Sequence, residues 1–483
     1  MSADTLTRHR WVRDEVSGEL STVLKNGARY LLRRNIDALN QFRSDLRIEE
    51  ADLLDIASAV FGSDRLAPRP NGFKARSLNW ARQLHLELPV RNPDLWNERT
   101  TIDNLRDVLE ELTGDLWSFE FYYSVPAPTV SQLRFRLKPQ PVALFSGGLD
   151  SLAGALDLLV HEKHPGLRLV SVSSNSHIRN VQTATFHALR EKTGANLEQF
   201  QFQINHRRPT FPSGVDKTSA SEHIASKRNL KEQGRRQRAR AFFYFVIATI
   251  LARRTQTDRI YILENGVTSL NLPINPVLSS TRVTRTTHPL VLIAFERFIR
   301  AILNWPAFRV ELPYLLRTKA ELVAPYAKDY RDLIEGTVSC ARVLNGPLCG
   351  TCTACLLRRQ VLWSVGLGEL DMDEQKNRSL RDIFATFNVP GDDDRRWYFL
   401  ATLDHVAELL RNPSVVASHP SVLRTAAAWS EARGLDAVTL QGDIIDLHKR
   451  YADEWRNVLC GAAGRYDSIR GLLSHDTLMS NSL

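Results

Sequence analysis

The spacing of hydrophobic positions changes near residue 139. Before it, DLLDIASAVF places its apolar residues at helical spacing over 53–60. Apolar and polar residues then alternate in LHLEL (84–88), WSFEFYY (117–123) and LRFRL (133–137). Alternation of this kind predicts half-buried strands, which we expect to pair antiparallel. Residues 1–138 are therefore predicted to form an α+β N-terminal extension.

After residue 139, short apolar runs alternate with helical patterns. The predicted strands cover 142–145, 167–173, 200–204, 260–263 and 310–312, and the longer helical stretches cover 153–162, 181–193 and 236–254. This order predicts an α/β domain over 139–370 with a doubly wound parallel sheet. Residues 371–483 are amphipathic and predict a helical C-terminal region.

The composition of the chain narrows the classes of partner. With 43% hydrophobic and 24% charged residues, the chain is typical of a soluble globular protein. The apolar run Ala241–Ala252 is shorter than the ~20 residues that span a bilayer, and the first residues are polar, so we expect a cytoplasmic protein. The net charge of +9 favours anionic partners, namely nucleotides, nucleic acid or an acidic protein.

The first predicted strand of the α/β domain ends in SGGLDS. Glycines at such a position let the backbone approach a ligand, and backbone N–H groups at the following helix start favour a phosphate chain. The carboxylate suits a Mg²⁺ ion that accompanies a nucleotide. A tight turn with a helix cap is the alternative, and the Lys-Ser/Thr ending of a Walker A loop is missing. The predicted ATP-binding residues are Ser146, Gly147, Gly148, Leu149, Asp150 and Ser151.

Four of the five cysteines fall within sixteen residues. Their spacing is C-x8-C-x2-C-x2-C, formed by Cys340, Cys349, Cys352 and Cys355. Four thiolates suit a closed, structural Zn²⁺ site. An iron–sulfur cluster uses the same ligands, and unligated buried thiols are a further alternative. Cys460 is expected to be an ordinary buried thiol.

SGGLDS resembles the PP-loop of the ATP-pyrophosphatase superfamily, which has the adenine nucleotide alpha hydrolase-like fold. Together with the cysteine spacing, it resembles the 7-cyano-7-deazaguanine synthase (QueC) family over about 141–365. That resemblance implies adenylation of 7-carboxy-7-deazaguanine, with ammonia giving an amide and a second ATP-dependent step giving the nitrile.

The resemblance also implies roles for particular residues. RTKAEL, which contains Lys319 and Glu321, is similar to the family's T-K-A-E stretch, and RARAFF around Arg240 matches a helix start more loosely. The predicted catalytic residues are Asp150, Lys319 and Arg240. The predicted substrate residues are His177, Glu264, Asn265, Gly266 and Glu321.

The chain departs from the family where the substrate should bind. SSNSHIRN replaces an Asp-Tyr-Gly-Gln-x-His stretch and keeps only its histidine, and a Tyr-Pro-Asp-Cys-Arg stretch is missing. The enlarged layout resembles the QueC-like proteins of bacterial antiphage operons, the QatC type. On that resemblance, a deazaguanine carboxylate is activated with ATP and passed to an amine, such as the N-terminus of a partner protein from a defence operon.

Other functions stay open at this stage. A nitrile synthase, or a PP-loop enzyme that modifies tRNA, such as a thiolase, would use the same loop, and the thiolase would need catalytic cysteines or an iron–sulfur cluster. A nucleotide-binding scaffold of a defence complex would need no catalysis. The basic stretch Ser226–Arg240 could contact nucleic acid, although a solvated loop is the favoured interpretation because aromatic residues are absent from it.

Overall fold

A computed structural model describes residues 6–14, 18–24, 27–35, 46–67, 81–124, 139–173, 176–206, 210, 238–273, 285–340, 348–371, 382–386 and 393–475. Ten strands of these residues form one sheet. They are β1 (Leu6–Arg13), β2 (Leu20–Val23), β3 (Arg29–Asn35), β4 (Gln83–Val90), β5 (Leu116–Tyr123), β6 (Val142–Leu144), β7 (Gly166–Ser173), β8 (Asn196–His206), β9 (Arg259–Tyr261) and β10 (Arg309–Glu311).

Sixteen α-helices are formed by the described residues. They are α1 (Ile48–Leu66), α2 (Pro93–Asn97), α3 (Arg99–Thr113), α4 (Leu149–Leu156), α5 (Ser176–Thr193), α6 (Arg240–Arg254), α7 (Gly266–Leu270), α8 (Pro289–Ile302), α9 (Lys319–Val323), α10 (Arg331–Glu335), α11 (Thr353–Ser364), α12 (Ile383–Thr386), α13 (Asp393–Arg411), α14 (Pro420–Arg433), α15 (Ala437–Ala463) and α16 (Asp467–His475). None of them combines the length and the apolar character needed to cross a bilayer.

The predicted doubly wound parallel sheet is confirmed. Strands β10, β9, β6, β7 and β8 lie side by side in that order, and all four pairs are parallel. Val142 belongs to one hydrophobic cluster, together with α6, whereas the next residue, Ala143, belongs to a second cluster with α4. Helices therefore cover both faces of the sheet, and β7 is buried along its whole length.

The chain adds strands on both sides of β6, which fixes where a ligand can bind. β7 and β8 follow on one side, and the chain then returns to place β9 and β10 on the other. Ligands of such sheets bind beyond the carboxyl ends of the strands where the order reverses. In this sheet, that position lies between the ends of β6 and β9.

The N-terminal strands continue the same sheet. β3 pairs antiparallel with β8, and β2, β1, β4 and β5 follow outward. The expectation of antiparallel pairing is wrong for β4, which runs parallel to both β1 and β5. Helices α2 and α3 cross between β4 and β5, so the connection is long enough for parallel pairing. The predicted strand at 133–137 lies outside the described residues.

A buried ionic cluster joins the N-terminal region to α6. Arg82 pairs with Asp64 and with Asp115, and all three side chains are almost fully buried. Asp64 also accepts hydrogen bonds of 2.8 Å from the backbone N–H groups of Arg238 and Ala239, directly before α6. The guanidinium of Arg238 donates to the carbonyl of Thr113. Arg238 thus has a structural role here.

Candidate functional site: the loop after β6

The SGGLDS loop forms a tight bend between β6 and α4. Gly147 has φ +75°, a left-handed conformation that favours glycine. A Cβ on this residue would lie 3.2 Å from the Cα of Gln182 in α5, so the backbone of α5 would have to shift by a few tenths of an ångström. The bend therefore requires glycine, and it directs the chain into α4 with its N-terminus at the sheet edge.

The two serines hold the bend in shape. The Ser146 and Ser151 hydroxyls are 3.1 Å apart, the N–H of Gly148 donates to the Ser146 hydroxyl, and the Ser151 hydroxyl donates to the Gly148 carbonyl. Ser146 is exposed, whereas Ser151 is buried. The side chain of Leu149 lies in the core, so this residue can offer a ligand only its backbone.

Asp150 lies at the centre of a polar cluster. Lys319 Nζ lies 2.5 Å from Asp150 Oδ2, and the two side chains are only 7% and 12% exposed. Asn265 Nδ2 donates to Asp150 Oδ1 at 2.9 Å. The structure therefore brings together three predicted site residues that are separated by 115 and 54 positions along the chain.

Glu264 joins this cluster as a second carboxyl group. Burial raises the pKa of Glu264 well above its usual value, and the negative charge of Asp150 raises it further, while Lys319 opposes the shift. Asn265 Nδ2 donates to Glu264 Oε1 at 3.2 Å as well as to Asp150 Oδ1 at 2.9 Å, so this amide bridges the two carboxyl groups.

Short helices after β9 and β10 position these side chains. Asn265 precedes α7 and caps it by accepting a hydrogen bond from the N–H of Thr268. Thr318 caps α9 in the same way, and Lys319 is the first residue of that helix. Because β9 and β10 are parallel to β6, both caps lie at the edge of the sheet where the SGGLDS loop lies.

Gly266 is required by the close approach of these two connections. Its N–H donates to the Arg317 carbonyl at 2.9 Å. A Cβ added to Gly266 would lie 1.8 Å from the Leu315 carbonyl oxygen, which is an impossible contact. Gly266 therefore shapes the site through its backbone.

Glu321 has a structural role in the same region. Its carboxylate accepts the Thr318 N–H at 2.8 Å, which completes a capping box, and its other oxygen accepts from Arg450 Nε at 2.6 Å. Both oxygens are thus engaged, and a contact with substrate stays a prediction.

Two further predicted site residues, Arg240 and His177, belong to helices on which no described contact with the Asp150 cluster is made by their side chains. Arg240 is exposed at the start of α6, and His177 is half-buried in the first turn of α5. In the portion of the chain that the structure describes, neither is bonded to Asp150 or Lys319. Their predicted roles remain untested. The basic stretch 226–237 lies outside the described residues.

Several polar side chains near the loop were missed by the sequence analysis. Buried oxygens of Ser173, Gln182 and Ser339 have no hydrogen-bond partner among the residues that the structure describes. Gln182 packs against Gly147, and the N–H of Val338, next to Ser339, donates to the Gly147 carbonyl. Isolated Ser and Gln residues carry no sequence signal, and only the fold places them beside the loop.

The four clustered cysteines form a second candidate site. Their sulfur atoms all lie within 4.8 Å of one another, with 4.0 Å between Cys340 and Cys352 and 3.9 Å between Cys349 and Cys355. A tetrahedral Zn²⁺ with Zn–S bonds of about 2.3 Å requires sulfur separations of about 3.8 Å. The donor set fits one such ion, and it is too compact for a core of several iron atoms. Cys460 is exposed, so the expectation that it is buried is wrong.

The cysteine cluster is connected to the SGGLDS loop. Cys340 follows two residues after Val338, whose N–H donates to the Gly147 carbonyl at 3.3 Å. Cys352 directly precedes α11, which begins at Thr353 and carries Cys355 in its first turn. A metal ion bound by the four thiolates would therefore fix the segment that lies against the loop.

Comparison with known proteins agrees with this geometry. Residues 140–366 match the model of the family described as Queuosine biosynthesis protein QueC. No curated protein matched the chain. The matched segment contains the SGGLDS loop, Asp150, Lys319 and the four cysteines. Residues 140–366 therefore form a QueC-like PP-loop domain, which suggests an ATP-dependent enzyme.

Proposed function

We propose that this protein activates a carboxylate by adenylation with ATP and then transfers the acyl group to an amine. The observation that carries the proposal is the convergence of Asp150, Lys319, Asn265 and Glu264 beside the SGGLDS loop. An oxygen of the substrate carboxylate attacks the α-phosphorus of ATP, and the bond from that phosphorus to the oxygen that bridges the α- and β-phosphates breaks. Pyrophosphate leaves, and an acyl adenylate remains.

The loop provides donors for the phosphates. The backbone N–H groups at the start of α4 lie at the positive end of a helix, where they favour a phosphate chain. Lys319 supplies a buried positive charge at the edge of the loop, and such a charge stabilises the negative charge that develops on the phosphate oxygens.

The paired carboxyl groups fit a divalent cation. Asp150 and Glu264 present hard oxygen ligands, and Asn265 Nδ2 donates to both of them. Mg²⁺ bound there would neutralise charge on the phosphates. Asn265 would continue to orient Asp150.

In the second half of the reaction, an amine nitrogen attacks the acyl carbon. The C–N bond forms, the bond from the acyl carbon to the AMP oxygen breaks, and the amine loses one proton. The acid is proposed to be 7-carboxy-7-deazaguanine, which is supported by the QueC match. The amine is proposed to be the N-terminus of a partner in an antiphage operon, supported by the enlarged layout and the altered substrate stretches.

A sulfur-transfer function is less well supported. Such chemistry needs a reactive cysteine beside the PP-loop. Among the described residues, four cysteines belong to the compact cluster, and Cys460 is exposed on α15. This arrangement favours a structural metal over catalytic thiols.

The proposal is tested by incubating the zinc-loaded protein with ATP, Mg²⁺ and 7-carboxy-7-deazaguanine. Chromatography should show AMP and pyrophosphate, and mass spectrometry should identify an amide when a candidate partner protein is added. Asp150→Asn should abolish both products, while Asp446→Asn, an exposed position on α15, should retain them. Release of ADP and inorganic phosphate would contradict the proposed chemistry, and activity without the carboxylate would contradict the substrate.

A further inference from the structure

Helix α15 lies outside the QueC match, yet it packs on the candidate site. The match ends at residue 366, and α15 covers Ala437–Ala463. This 27-residue helix is amphipathic, and its buried side contacts both connections that hold the partners of Asp150. The contacts are specific hydrogen bonds as well as apolar packing.

The first set of contacts reaches the helix that carries Lys319. The Thr318 hydroxyl, which caps α9, donates to the carboxyl group of Glu454. Arg450 donates to Glu321 Oε1 at 2.6 Å and to the Leu316 carbonyl at 2.8 Å. Two side chains of α15 thus hold Thr318 and Glu321, the two members of the capping box on either side of Lys319.

The second set of contacts reaches α11, the helix that carries Cys355, and α7. Gln360 of α11 donates to Glu454 Oε2 at 2.9 Å. Leu447 is fully buried and lies against Gly266, since its Cδ2 would be 2.7 Å from a Cβ placed there. Gly266 directly follows Asn265, the other donor to Asp150.

We propose that α15 is a positioning element of the catalytic site, in which Glu454 fixes the start of α9 and thereby aims Lys319 at Asp150 and the phosphates. This inference rests on the proposed adenylation. Glu454 does not touch the reacting atoms, and it acts through Thr318. The C-terminal region is then required for the chemistry of the QueC-like domain, although the family match does not include it.

The local electrostatics agree with a fixed role for this carboxyl group. Burial raises the pKa of Glu454 to about 7, and the negative charge of Glu321 adds to this shift. Hydrogen bonds from Thr318 and Gln360, together with the positive charge of Arg450, lower the pKa and so oppose the shift. A buried carboxyl that is bonded to two different elements resists rearrangement, because breaking either bond leaves a polar group unsatisfied.

The test compares Glu454→Ala with Glu454→Gln in the full-length, zinc-loaded protein. Pyrophosphate release is measured against ATP concentration. Glu454→Ala should lower kcat about tenfold, because Lys319 is misplaced in the transition state, and it should leave KM for ATP nearly unchanged. Gln keeps an acceptor for the Thr318 hydroxyl, so Glu454→Gln should restore most of kcat. Asp446→Ala, at an exposed position of the same helix, is the matched control.

A second measurement does not depend on activity. Acetylation of Lys319 by a small acylating reagent is followed by peptide mass spectrometry. Glu454→Ala should raise the labelling rate of Lys319 about fivefold, because the buried pair with Asp150 opens more often. Glu454→Gln and Asp446→Ala should label at the wild-type rate.

The outcomes separate the two proposals. If wild type releases no pyrophosphate but Glu454→Ala exposes Lys319 to labelling, the adenylation is wrong and the positioning of Lys319 stands, without its catalytic purpose. If Glu454→Ala is folded and matches wild type in both kcat and labelling, the positioning role is overturned. An equal decrease of kcat in Glu454→Ala and Glu454→Gln would also overturn the positioning role.

Discussion

The ion pair between Lys319 and Asp150 makes a quantitative prediction about the free energy of unfolding. The charged atoms are 2.5 Å apart, and both side chains are nearly buried. At an effective dielectric constant of about 20, their attraction is about 7 kcal/mol, and most of it offsets the cost of removing two charges from water. The net stabilisation by the intact pair is therefore small.

Removing one partner lowers the free energy of unfolding by more than the intact pair contributes to it. Lys319→Met leaves Asp150 buried without its cation, which costs about 3–5 kcal/mol in comparable sites. Asn265 still donates to Asp150 at 2.9 Å, so we expect a loss near the lower limit, about 3 kcal/mol. Asp150→Asn should also destabilise the protein, because it removes the carboxylate that pairs with Lys319 at 2.5 Å.

The double variant distinguishes a true pair from two separate defects. In Lys319→Met/Asp150→Asn, neither charge remains, so the double variant should be more stable than the sum of the single effects predicts, by about 2–3 kcal/mol. Urea unfolding is followed by tryptophan fluorescence, and variants are compared by their midpoints at an unchanged slope.

A surface ion pair provides the matched control. Arg331 lies 2.9 Å from Glu369, but both side chains are about half exposed. Arg331→Met should cost at most about 1 kcal/mol, because solvent screens the pair. Additive effects of Lys319→Met and Asp150→Asn, or a loss with Lys319→Met no greater than with Arg331→Met, would refute the assignment of a buried, coupled pair.

Three further predictions concern glycine, metal and pH. Gly266→Ala should destabilise the protein by about 3 kcal/mol or more and abolish pyrophosphate release, because its Cβ would overlap the Leu315 carbonyl; Gly442→Ala, in open space on α15, should be neutral or stabilising by up to about 1 kcal/mol in urea unfolding. The native protein should contain one zinc ion by elemental analysis, and a thiol reagent should modify Cys460 alone. Removal of the metal by a chelator should make all five thiols reactive and weaken ATP binding measured by calorimetry. Thiol reactivity that the chelator does not change would contradict a metal site. The folded pKa of Glu454 is raised to about 7, so the stability that this group contributes is present at low pH and is lost as pH rises from about 5 through 7. The urea midpoint of Glu454→Gln should therefore fall less than that of wild type over this pH range. Midpoints of the two proteins that change in parallel with pH would contradict the raised pKa.

Some features of this protein follow from short stretches of sequence. The SGGLDS loop after an apolar strand is a local arrangement, since the positive φ of Gly147 and the helix start at Leu149 both arise within the loop. The cysteine cluster is similar, because three of its four ligands lie within seven residues. The alternation of strands and helices also predicted the parallel sheet, because parallel neighbours need a long crossover connection and a helix provides one.

Other features depended on contacts between distant parts of the chain. Alternating apolar residues have the same period of two in parallel and antiparallel strands, so the pattern at 84–88 and 117–123 could not decide how β4 and β5 pair. The pattern of α15 predicts an apolar face but not what that face covers. Only the folded chain brings Glu454 to Thr318 across 136 positions and Lys319 to Asp150 across the ends of separate strands, because sequence periodicity encodes burial and does not encode which buried groups meet.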